Sequence, residues 1–202
     1  MSSPLVSDFP LKGDRSYIHG TDIYDWCIEI LPGFCASESL ARVTLEFHRM
    51  AKSQLVAVER TAASDDYEGK EPCATFRAKF AEENVSIDFY ESGRAPAERV
   101  PYDEAVISDQ SLIDGEQISF DGVTAYTPIE TLIPMTKALH HSLFGPTEKW
   151  VFAKIDGARF LPSPAWSQRA TIRLKQHLAR RFSVSEIILD GQLAGQIFFS
   201  VR

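Results

Sequence analysis

The chain reads as an α+β protein built from two tandem copies of one unit, each an extended lead, a single helix and about four antiparallel strands. Three observations carry this expectation. The tail holds Asp190-Gly191 between two apolar runs, the pattern of a type I′ hairpin turn, which needs positive φ at both central residues. Strict alternation recurs in Val43/Leu45/Phe47 and again in Ala170/Ile172/Leu174, the period of half-buried strands. A shift of 110 positions (131 less 21) lays Thr21 on Thr131, Ile23 on Ile133, Leu45 on Ile155 and Arg49 on Arg159.

The first copy follows in order. After a polar lead, Lys12 to Thr21 is a short extended segment, and Thr21-Asp22 starts a helix: the hydroxyl caps an orphan N–H and the carboxylate suits the positive end of the dipole. Ile23, Trp26, Cys27 and Ile30 form an apolar stripe, and Pro32-Gly33 stops the helix. Strands follow over 41–49, 54–59, 74–80 and 85–90. Residues 91–116, rich in Asp, Glu, Pro and Gly, lack periodicity and read as a connector.

The second copy restarts at Ile118. Residues 118–126 are extended, and Thr131 to Phe144 is a helix with Pro134 tolerated in its first turn. Strands at 150–155 and 170–175 and the closing hairpin complete it. Ala74-Thr-Phe-Arg-Ala-Lys79 and Ala170-Thr-Ile-Arg-Leu-Lys175 share four residues in six, so an internal duplication is expected. The boundaries are 1–95, a connecting segment at 96–117, and 118–202. The rival architecture is an α+β protein of two separate half-domains.

Composition narrows the functions. A net charge of −7 and no basic cluster longer than Arg180-Arg181 argue against a nucleic-acid binder. No apolar run reaches membrane-spanning length, and the N-terminus lacks the pattern of a signal peptide, so cytoplasmic residence is the default. Cys27, Cys35 and Cys73 form neither a disulfide framework nor a zinc pattern and read as buried thiols. His140-His141 does not make a metal pair, because adjacent helical residues point about 100° apart; one of the two faces the core. His48 alternates with Val43, Leu45 and Phe47 and faces solvent or the other sheet surface.

A strand ending in Arg159-Phe160, then Pro162, an alternating strand, and a hairpin at Asp190-Gly191 followed by Ala194 and Phe198 resembles the C-terminal half of hotdog-fold 3-hydroxyacyl-acyl-carrier-protein dehydratases. The resemblance covers about a quarter of the chain and bears on fold more than on function. It implies a double hotdog: two repeats, each a sheet wrapped around a central helix, forming a pseudo-dimer within one chain, with a further homodimer open.

The same resemblance nominates His19 as the catalytic base, since those dehydratases carry a His just before the central helix. It also implies an acid on the facing helix, for which Glu130 is the candidate, with Asp14 and Asp22 as further carboxylates. A His at a helix N-terminus is a reasonable base on chemical grounds, because the dipole favours the neutral imidazole. The second copy has Ile129 in that place, so only one cleft carries the base. The expected reaction is dehydration of a 3-hydroxyacyl thioester on coenzyme A or an acyl-carrier protein. Arg159 and Arg173, with Arg169, offer a basic patch for the carrier, and neither metal nor redox cofactor is implied. Hotdog thioesterases use a carboxylate near the start of the same helix, which keeps hydrolysis open. So does a third reading, a duplicated hotdog that binds an acyl group or a carrier protein without catalysis.

Overall fold

The computed structural model describes residues 5–30, 40–60, 67, 69–80, 84–157 and 169–202. Cys35, Arg159, Phe160 and Pro162 lie outside the described residues. The chain divides into two compact units, Met1–Tyr102 and Asp103–Arg202.

The first unit contains β1 (Leu5–Val6), β2 (Leu11–Lys12), α1 (Gly20–Ile30), β3 (Leu40–Phe47), β4 (Leu55–Glu59), β5 (Ala74–Phe80), β6 (Asn84–Glu91) and β7 (Arg99–Val100). Its main sheet runs β1-β4-β6-β5-β3, antiparallel throughout. The alternation read from the sequence explains the register. Leu45 faces Phe76, which faces Ile87, and Val43 faces Ala78, which faces Val85; all six are buried. Helix α1 buries Ile23, Tyr24, Cys27 and Ile28. The stripe is therefore rotated from the expected one, and Trp26 and Ile30 are only half-buried. Trp26 still ties the helix down, with its ring edge-on to Phe9 at 6.1 Å and Phe89 at 5.8 Å. Burial pushes the Cys27 thiol well up and Cys73 up to about 11, so neither is a ready nucleophile.

The second unit contains α2 (Ala105–Ser108), β8 (Leu112–Asp114), β9 (Gln117–Asp121), α3 (Pro128–Phe144), β10 (Trp150–Asp156), β11 (Arg169–Leu178), β12 (Phe182–Leu189) and β13 (Gln192–Val201). Its strands are ordered β8-β9-β11-β12-β13-β10, again antiparallel. Ile118, Ile172 and Ile187 form one buried row across three strands. The Asp190-Gly191 turn has φ of 47° and 81°, as its residue types predict. The edge strands β1 and β8 are very short and leave Leu5, Val6, Leu112 and Ile113 exposed.

Three expectations need correction. The stretch read as a connector is not structureless, for it holds β7, α2 and β8, with Ile107 fully buried. Helix α3 begins three residues early, capped by Thr127, whose hydroxyl accepts from the Glu130 N–H while the Glu130 carboxylate accepts from the Thr127 N–H. Pro128 is thus the first-turn proline, and Pro134 lies inside the helix, where it removes one backbone donor.

The third correction concerns the repeat. Strand β5 is the third strand after its helix and pairs with β3 and β6; β11 is the second and pairs with β9 and β12. The matching hexapeptides therefore hold different places in their sheets. What they share is a surface pattern. Ala, Phe or Ile, and Ala or Leu point inward, while Arg77, Lys79, Arg173 and Lys175 are exposed.

His140 is the buried member of its pair, and His141 is exposed. Its Nε2 lies 2.8 Å from the Ser183 hydroxyl, and its ring stacks on Trp150 at 4.2 Å. Burial, with a smaller push from His141, lowers it to about 3. The folded chain leaves this imidazole neutral where the unfolded chain, titrating near 6.5, already holds a proton. Stability should therefore fall on acidification between pH 6.5 and about 3, by up to about 1.4 kcal/mol per pH unit from this group alone. Urea unfolding at several pH values should show a shallower slope for His140→Phe than for the parent; equal slopes would mean that His140 is hydrated.

Candidate functional site

The loop between β2 and α1 folds back on itself. Leu11 bridges Ile18, and the Ile18 N–H donates to the Ala51 carbonyl at 2.8 Å. This brings Lys12 beside the first turn of α1. Strand β7 runs parallel to β2, pairing Leu11 with Arg99 and Lys12 with Val100, and so delivers Tyr102 to the same place. Gly13 makes the approach possible. Its φ is +54°, and a β-carbon there would sit 3.1 Å from the Tyr102 carbonyl oxygen, so a side chain would meet both strain and a clash.

Four groups converge at the helix start. His19 immediately precedes α1, and the Asp22 N–H donates to its carbonyl at 3.1 Å. Thr21, expected as the cap, lies instead within the first turn and is fully buried. The Lys12 ammonium donates to the Thr21 hydroxyl at 2.9 Å and contacts the Asp22 carboxylate at 2.5 Å. The Thr21 hydroxyl in turn lies 2.7 Å from His19 Nδ1. Lys12 and His19 are 6% and 4% exposed, so this is an interior network. The Tyr102 ring lies 5.3 Å from the His19 ring, with Lys12 Nζ at 5.3 Å and the Arg15 guanidinium at 5.1 Å from its centre.

The inventory of donors constrains the imidazole. An ammonium only donates, so Thr21 accepts from Lys12. Among the described residues, the Thr21 hydroxyl bonds to Lys12 and His19 alone. Its own proton is satisfied when it donates to His19 Nδ1, which places the ring proton on Nε2. Thr21 has two lone pairs, so it can alternatively accept from Nδ1–H as well, which places the ring proton on Nδ1 and leaves Nε2 with its lone pair. One hydroxyl thus selects between a donor and a base.

The other nominated residues are distributed differently. Asp14 is exposed on the turn after β2. Glu130 belongs to the second unit and is engaged in the α3 capping box. Arg173 donates to Glu186 at 2.8 and 3.1 Å, and Lys175 joins the same carboxylate at 2.9 Å, which holds Glu186 below the usual carboxylate range. Ile129 is a buried residue of the first turn of α3. Lys12 and Tyr102 were not legible as site residues, because a two-residue parallel strand pair carries no sequence period.

No family model matches the chain, and no curated protein does either. Solved structures do. The dehydratase domain of PpsC from Mycobacterium tuberculosis, in complex with C12:1-CoA, aligns over 98% of this chain and 87% of its own at 12% identity, with a TM-score of 0.52. GphF dehydratase 1 aligns over 93% and 85% at 9% identity, TM-score 0.51. The chain has a hotdog-like fold. The tesB protein of Mycobacterium avium subs paratuberculosis aligns over 98% and 91% at 11% identity, TM-score 0.49. Within the first unit, the Lys12–Thr21–His19 network is the polar cluster at the start of α1.

Replacing Thr21 with Val keeps the shape and removes the hydroxyl. Two buried groups then lose a partner, so the variant should be less stable by roughly 1–3 kcal/mol. In nitrogen-15 NMR spectra of the histidine rings, the distribution of the His19 proton between Nδ1 and Nε2 should change. An unchanged His19 signature would show that Thr21 does not set the tautomer.

Proposed function

We propose that the protein processes acyl thioesters and that its reaction is dehydration of a 3-hydroxyacyl thioester, carried on coenzyme A or on the phosphopantetheine arm of a carrier protein. The observation that carries this reading is the buried His19 at the start of α1, linked through Thr21 to the Lys12–Asp22 pair. The hotdog-like fold supports it, as does the PpsC dehydratase domain, whose structure is a complex with C12:1-CoA.

In this reading the substrate's C2–H bond breaks and the proton moves to His19 Nε2, with Nδ1–H donating to Thr21. The electron pair forms the C2–C3 double bond as the C3–O bond breaks. The departing hydroxyl takes a proton from the Lys12–Asp22 pair and leaves as water, and exchange with solvent resets both groups. Backbone N–H groups in the first turn of α1 polarise the thioester carbonyl, lowering the barrier to removal of the α-proton. Asp22 is the carboxylate assigned here, because Asp14 is exposed and Glu130 holds its own helix cap.

Incubation of the pure protein with 3-hydroxyacyl and saturated acyl thioesters, followed by mass spectrometry, tests this. Reversible loss of one water is expected, and His19→Ala should lower kcat by about 100-fold or more. Release of free acid and thiol would replace dehydration with hydrolysis. A bound but unchanged ligand would make the protein a binding module.

A further inference from the structure

Two of the tight hairpin turns in the second unit contrast in chemistry. The β12–β13 turn uses Asp190-Gly191, residues suited to positive φ. The β11–β12 turn places Ala179 at φ 48° and Arg180 at φ 55°, where a β-carbon is disfavoured and glycine or asparagine is the usual solution. The chain has kept an arginine at a position that costs backbone energy.

The register shows what surrounds that arginine. Leu178 faces Phe182, Phe182 faces Ser200, and Trp150 faces Val201. The Val201 N–H donates to the Arg181 carbonyl at 2.9 Å, and the Arg202 N–H to the Lys149 carbonyl at 3.2 Å. Lys149, Arg180, Arg181 and Arg202 therefore share one end of the sheet, and all four are exposed. The other cations of this unit that take part in ion pairs do so elsewhere: Lys137 with Glu104, Lys154 with Asp156, and Arg173 and Lys175 with Glu186. None of the four at the sheet end makes an ion pair among the described residues. At the same sheet end, Leu178 is 66% and Phe182 39% exposed.

We propose that this end of the second unit's sheet docks an acidic carrier protein that presents the substrate on its phosphopantetheine arm. The proposal rests on the acyl-thioester reading and names the partner. Exposed apolar side chains beside cations that make no ion pair among the described residues have the character of a protein–protein contact. Phosphate groups of coenzyme A would call for donors alone, whereas this sheet end also exposes Leu178 and Phe182. Charge makes the location selective. On a chain of net charge −7, an acidic partner is repelled from most of the surface and steered to this one. Arg173, expected at the carrier patch, is held by Glu186 instead.

The test compares one 3-hydroxyacyl group on a holo acyl carrier protein and on coenzyme A, using the full chain and its Arg180→Glu/Arg181→Glu variant. The variant should raise KM for the carrier-bound substrate at least tenfold with kcat unchanged, and leave the coenzyme A thioester within twofold. Added salt should weaken the parent's use of the carrier more than the variant's. Arg180→Gly controls for folding: it relieves the turn, so it should unfold no earlier than the parent and still weaken carrier binding. Equal losses on both substrates, or none on either, would overturn the proposal. Calorimetric titration with the holo carrier protein separates the two readings. Binding that the double variant weakens upholds the docking surface even where no thioester is dehydrated, and absence of binding removes it even where the coenzyme A thioester turns over.

Discussion

A lysine ammonium buried beside the positive end of a helix sets the terms for the first unit. Lys12 sits where the α1 dipole disfavours a cation and where water is nearly excluded. Asp22 and Thr21 from the first helical turn offset that cost, and breaking one partner of such a pair leaves an uncompensated charge. The position of β2 relative to α1 is therefore fixed by charge as well as by packing. The β2–β7 pair, the tight turn at Gly13 and the placement of Tyr102 all follow from keeping Lys12 in reach of Asp22.

This arrangement couples the histidine to a charge through a single hydroxyl. A direct lysine–histidine contact would put two donors against each other. Thr21 can accept from one and donate to the other, or accept from both, so the protonation pattern of His19 is tied to side chains of the helix's first turn. The chemistry of the site thus depends on where α1 begins. A helix starting two residues later, at Asp22, would take Thr21 out of that turn.

Alternation and turn chemistry made most strands legible. The period-2 runs marked β3 and β11, and Asp190-Gly191 marked the β12–β13 hairpin, because those signals are local. Helix ends were less legible. Thr131-Leu-Ile-Pro looks like a start, while the decisive signal was the Thr127…Glu130 capping box with Pro128 between. Tertiary placement was not legible at all. The hexapeptides at 74–79 and 170–175 match because both strands bury one face and expose arginine and lysine on the other, a requirement that many strands meet. Which neighbour each strand pairs with is decided by loops and core shape. Of the nominated site residues, His19 and Asp22 lie together, and their link through Lys12 depends on a fold-back that has no period.

The short strands at the sheet ends set a limit on growth. β1 is two residues long and β8 three, against the five or six of an ordinary strand. An incoming strand would find only one or two backbone donor–acceptor pairs at either, too few to register a long ladder. Leu5, Val6, Leu112 and Ile113 can therefore stand in water at these edges without turning them into templates for fibre-like addition.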